Sequence, residues 1–206
     1  MSLFTHILIY NLVLSVYLYA TLALDPRMWL HRMPPAVVAK VPPKTASERR
    51  RLIPLGIPFL AVMAGYPVWY TATYAASLAG AGATAAAGAA GTIAGSAAAA
   101  GTAGAGANIV AGAALGAGAP FAAGASYWEI SGLLFLFFFS FDICDTFILD
   151  LLIFCGITPR FIVIEGTERR DYKNVRYHLK SGAKGLIILI IASLVLGAVV
   201  FFAVGK

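Results

Sequence analysis

From residue 52 to residue 159 the chain contains no lysine and no arginine. A stretch of that length without a cation is unusual in water, and it excludes a surface of interspersed charges there. Acidic residues are also few, nine in the chain against fifteen basic ones. Only two cysteines are present, Cys144 and Cys155. Eleven residues apart on one predicted helix they stand about 16 Å from each other, whereas a disulfide needs Cα atoms closer than about 7 Å. Both read as small apolar fillers. Walker A, HExxH, GxSxG and CxxC patterns are all missing, which removes the motif-borne reasons to expect an ATPase, a zinc protease, a serine hydrolase or a thiol redox enzyme.

What fills the chain instead is apolar: 60% of residues are hydrophobic and the mean hydropathy is +0.84. Four runs reach the ~20 apolar residues that cross a bilayer, 3–24, 52–74, 130–157 and 185–204. They predict an all-α membrane protein, a single integral domain of about four transmembrane helices in a bundle. The first run lacks a basic leading region and a clear small-residue cleavage site, so it reads as a retained span. Fourteen of the fifteen cations fall in two windows, 25–51 and 158–184, with net charges of +5 and +4. Cations near span ends stay cytoplasmic, which predicts two cytoplasmic loops and extracytoplasmic termini. A pI of 9.5 then reflects orientation and attraction to the anionic headgroups of the bilayer, not nucleic-acid binding.

Residues 75–126 are nearly all Ala and Gly, without a single charge. Twelve glycines interrupt 80–124, each costing about 1 kcal/mol in a helix, and in water the segment cannot bury a core of large side chains. Small-xxx-small spacing through Gly88, Thr92, Ser96 and Ala100 would permit close helix contact in lipid. The segment reads as an extracytoplasmic low-complexity loop dispensable for folding, with an inserted helical hairpin as the alternative.

The third run carries the residues of most functional interest, Asp142, Asp145 and Asp150 in FDICDTFILD. At 100° per residue they lie near 0°, 300° and 80°, a shared face of about 140°, with Cys144 and Cys155 opposite. Intramembrane acids are functional candidates by default. No predicted span holds a cation to neutralise them, so Asn11, Ser140 or Thr146 would have to hydrogen-bond Asp142. A structural reading competes: a helix over 130–157 is about 42 Å long against a hydrocarbon core of about 30 Å. The aspartates can thus approach the inner interface and pair with Arg49, Arg50, Arg51, Arg169 or Arg170.

The windows have their own grammar. Trp29 suits the headgroup region, and Pro34–Pro35 and Pro42–Pro43 predict extended chain. Thr45 or Ser47 can cap the second span, although no ideal capping box is evident. Residues 160–165 suggest a short strand or extended segment ending at a Gly166 turn. Residues 172–179 resemble a basic interfacial helix. Pro67 should kink the second span and free a carbonyl. His6, His31 and His178 are isolated, so no metal site is expected, nor any cofactor.

The segments LDPRMWL, VPPKTASERRRLIPLGIPFL, FDICDTFILDLLIFCGITPRFIVIEGTE and DYKNVRYHL resemble those of a group of small uncharacterised bacterial four-span integral membrane proteins. The resemblance is loose over the first ninety or so residues, closer over 141–179, and does not extend through 75–126. It implies a compact four-span architecture in a bacterial cytoplasmic (inner) membrane and no activity. Three functional classes remain. The first is a non-enzymatic protein acting through lipid or protein contacts of its basic loops, with a homo-oligomer or a membrane-protein partner in view. The second is a small proton- or cation-linked carrier or channel using the aspartates. The third is a membrane-embedded enzyme acting on an anionic lipid or phosphate, with Arg49, Arg50, Arg51, Arg160, Arg169 and Arg170 as anion contacts and its catalytic residues unknown.

Overall fold

The computed structural model describes residues 2–80 and 125–204. Every regular element among them is helical. Helix α1 covers Leu3–Leu24 and is followed by a 3-10 segment, Pro26–Arg32, and a short helix α2, Pro35–Val38. Helix α3, Ala46–Leu60, passes through a π turn at Ala61–Gly65 into a helical run that ends at Gly80. Helix α4, Tyr127–Cys144, continues without a break into a π-helix over Asp145–Ile157. Helix α5 covers Val175–Val204. Four runs are long and apolar enough to cross a membrane: Leu3–Leu24, Ala46–Gly80, Tyr127–Ile157 and Arg169–Val204. Most of 75–126, including the alternative of a loop or an inserted hairpin, lies outside the described residues.

Helix ends explain why the runs outgrow the apolar stretches. The second begins at Ala46, not 52, because Thr45 and Glu48 form a full capping box: Thr45 Oγ1 accepts the Glu48 N–H at 3.3 Å and Glu48 Oε2 accepts the Thr45 N–H at 2.7 Å. The T-x-x-E signature was present in the sequence, and the expectation of no ideal box is corrected. Ser126 and Glu129 repeat the device on α4, at 3.2 and 2.7 Å. The π-helix ends at Thr158, whose φ of +44° is rare for a β-branched residue. Its N–H donates to the Ile153 carbonyl at 2.7 Å. Gly166, at φ +85°, makes the turn foreseen for it. The segment before it is a 3-10 turn, Arg160–Ile162, rather than a strand. Pro35 opens α2 instead of extending the chain. Tyr172 closes a separate 3-10 turn, Arg169–Tyr172, while Val175 starts α5, so 172–179 is not an independent interfacial helix.

Pro67 has no N–H for the Met63 carbonyl four residues earlier. That carbonyl accepts the Tyr10 hydroxyl at 2.9 Å. The π turn just before Pro67 widens the helix at the same place. Tyr10 itself is 1% exposed and packs edge-on against Phe137. It anchors a cluster with Leu14, Leu18, Phe141 and Leu149 that joins α1 to α4 and its π extension.

Helices α4 and α5 make the most extensive contact in the fold. Small residues on α5 allow it. A Cβ on Gly197 would strike Ser131 down to its backbone Cα at 3.1 Å, and one on Gly182 would meet Thr146 Cγ2 at 3.2 Å. Ile130, Leu134 and Phe138 of α4 fill the space beside Leu189 and Val200.

The two basic windows meet at one end of the helices. Leu22 and Phe154, from the ends of α1 and the π-helix, share a buried cluster with Met33, Val37 and Val41 from the first window and Ile162, Ile164 and Tyr172 from the second. The Tyr172 hydroxyl accepts the Ile164 N–H at 3.0 Å. Lys40 Nζ reaches Asp171 Oδ2 at 2.7 Å, tying one window to the other. The loops therefore form a closed cap with an apolar core of its own.

Candidate functional site

The π-helix decides which side chains face inward. Its i to i+5 bonding widens the turn beyond the 3.6 residues of an α-helix, which brings Asp145, Asp150 and Cys155 toward one face, all buried at 5%, 5% and 8% exposure. Angles of 100° per residue had put Cys155 opposite the acids. Beyond Cys144 that arithmetic no longer applies, and the placement is corrected. The Cys155 thiol lies 3.5 Å from the Tyr172 carbonyl, to which it donates.

Asp145 pairs with Arg32, which holds the carboxylate through a short hydrogen bond. Arg32 belongs to the 3-10 segment that folds back under α1. Trp29 in the same segment lies against the helices, its Nε1–H donating to Thr21 Oγ1 at 3.0 Å. Among the described side chains, none of the arginines expected to neutralise the aspartates pairs with them. Arg49, Arg50, Arg169 and Arg170 are exposed, Arg170 pairing at 2.8 Å with Glu168, and the Arg51 side chain lies outside what the structure describes; Arg160, an expected anion contact, is exposed too. Arg32 was missed because Arg49–Arg51 stand directly at a span and Arg32 does not.

Asp150 is placed differently from Asp145. Among the described residues its carboxylate receives no hydrogen bond. Its neighbour is His178, whose Nδ1 lies 3.3 Å from Oδ2, and neither ring nitrogen of His178 has a hydrogen-bond partner. His178 is 1% exposed and stacks on Phe154. In the sequence it reads as an isolated histidine. Only its register, one turn into α5, could have revealed that it faces the π-helix. Asp142 is half-buried, with Gly185 leaving room beside its Oδ1. None of its expected partners bonds to it: Asn11 Nδ2 donates to Ser140 Oγ at 2.9 Å, Ser140 Oγ donates to the Phe137 carbonyl at 2.7 Å, and the Thr146 hydroxyl has no partner among the described residues.

A cavity of about 30 Å³ opens between α1, the 3-10 segment and the π-helix. Arg32, Asp145 and Asp150 supply its polar wall; Leu18, Leu22, Trp29, Leu149 and Phe154 supply the rest. That volume admits about two water-sized groups. No group of three metal-ligating side chains converges among the described residues. Electrostatics around the cap are strongly positive. Partial desolvation, then the charges of Arg32 and Lys44, hold His31 below the usual imidazole value of 6.5.

No protein-family model, curated protein or solved structure matches the chain.

Proposed function

We propose that the chain is a non-enzymatic integral membrane protein, a four-helix bundle in a bacterial inner membrane with both termini extracytoplasmic. Its basic cap binds anionic headgroups on the cytoplasmic face. The observation that carries this reading is the cap: two windows whose starts are 133 residues apart close on one apolar core and leave Arg49, Arg50, Arg160, Arg169, Lys173 and Arg176 exposed. A surface fixed in this way offers cations without ordering a loop at the moment of binding, so less of the attraction is lost to entropy. Juxtamembrane cations each contribute about 1 kcal/mol toward an anionic surface. The Arg32–Asp145 pair supports the same reading, since it gives the most buried cation-bound acid a structural partner.

Lipid retention tests the proposal. Full-length protein in nanodiscs of mixed phosphatidylcholine and phosphatidylglycerol, ejected into a mass spectrometer, should keep phosphatidylglycerol preferentially. The triple variant Arg49→Gln, Arg50→Gln, Arg169→Gln should lose most of that preference. Equal retention of both lipids by the parent protein would reject the proposal. The carrier reading keeps one specific support, the cavity at Asp150. For a membrane-embedded enzyme, nucleophilic catalysis would need a nucleophile beside a positioned base, and no observation among the described residues favours that reading.

A further inference from the structure

The cavity beneath the cap carries a second acid, Asp150, whose carboxylate accepts no hydrogen bond among the described residues and has only the His178 ring as an ion-pair neighbour. Arg32 is committed to Asp145. Asp150 stands in the same wall and is 5% exposed. Behind it stands His178, fully enclosed, with both ring nitrogens unpartnered and Nδ1 3.3 Å from the carboxylate. A buried carboxylate without donors is costly, and so is a buried imidazole without partners. With Arg32 bonded to Asp145, a further cationic donor on the cavity side would satisfy the Asp150 carboxylate.

The size and lining of the space narrow the class. About 30 Å³ holds one ammonium-sized group with a water. Trp29, fixed by its bond to Thr21, and Phe154 present aromatic rings to the space, which favours a small cation. We propose that this cavity binds a primary ammonium group, R–NH3+, donating to Asp150, which His178 backs from the far side. The group can belong to a free small amine or to the aminoethyl headgroup of a bilayer lipid. This site is independent of the anionic-lipid contacts of the cap, and its failure would leave them untouched.

Methylammonium is the probe. Full-length protein in nanodiscs of phosphatidylcholine alone should bind radiolabelled methylammonium at one equivalent by equilibrium dialysis. Tetramethylammonium, which is larger and has no N–H, should not compete. Asp150→Asn should weaken binding at least tenfold and His178→Gln several-fold, while Asp142→Asn stays within twofold of the parent. The parent protein should also melt at a higher temperature with methylammonium than with sodium chloride at equal ionic strength, a readout that needs no variant to fold. In discs containing phosphatidylethanolamine, suppression of methylammonium binding together with one retained lipid of that class assigns the amine to the membrane. Unchanged binding there assigns it to a free amine. Absence of saturable binding to the parent protein would overturn the proposal, and so would parent-like binding by a folded Asp150→Asn variant.

Discussion

Arg32 and Asp145 illustrate how one residue pair holds a cap to a helix. Removing either partner strands the other charge away from water, so Asp145→Asn or Arg32→Met should each destabilise the fold, by about 3 kcal/mol at the lower end of the range for buried pairs. The lower end applies because the Arg32 side chain is 31% exposed. Replacing both, Arg32→Met with Asp145→Leu, should restore most of the loss. Denaturant titration of the four proteins in a mild detergent measures the coupling. His31 sits in the same segment, held below the ordinary imidazole value by desolvation and by Arg32 and Lys44. A depressed folded-state value means stability is complete above the unfolded value of about 6.5 and declines as pH falls through and below it. Melting curves should show that decline between neutral and mildly acidic pH, and His31→Gln should flatten it. The acids themselves were legible in the sequence, because an ionisable group in an apolar run stands out. Their partners were not, since Arg32 lies 113 positions from Asp145 and only the folded-back 3-10 segment brings the two together.

Helical elements here are shaped by where the backbone cannot bond to itself. Pro67 leaves the Met63 carbonyl to Tyr10. Tyr10→Phe should therefore cost about 1 kcal/mol, the usual net value of a hydrogen bond. In a Pro67→Ala background, where an N–H returns to the chain, the same change should cost less. Thermal unfolding of the single and double variants reads the difference. Packing of α4 on α5 gives a sharper contrast. Gly197→Ala pushes a Cβ against Ser131 and its backbone, an overpacking expected to cost about 1–3 kcal/mol. Gly132 has nothing within 4 Å, so Gly132→Ala should be neutral or stabilising by up to about 1 kcal/mol through helix propensity. The four long helices were readable from apolar run length, and the freed carbonyl from Pro67. The start of α3 was readable too, in Thr45 and Glu48, but the apolar pattern drew the boundary to residue 52. The π-helix has no comparable signature: nothing in DTFILDLLIFCGI marks a wider turn, and that turn brings Asp145, Asp150 and Cys155 toward one face.

At the scale of the molecule, the chain is polarised. One end of the helices carries fourteen cations in two interlocked windows, and the other begins with Trp128 and the Ser126 cap. The clustering of charge was plain in the sequence. The interlocking was not, because Met33, Val37, Val41, Ile162 and Tyr172 read as minor apolar residues within polar loops. Orientation of that polarised cap is the claim on which the lipid-binding proposal depends. It is tested by single cysteines at Ser47 and Lys180, both exposed, one in each window, in a background carrying Cys144→Ala and Cys155→Ala. Right-side-out and inverted membrane vesicles are treated with an impermeant thiol reagent. Both positions should be labelled in inverted vesicles and protected in right-side-out ones. Labelling of the two positions from opposite sides, or of both from outside the cell, would contradict the account.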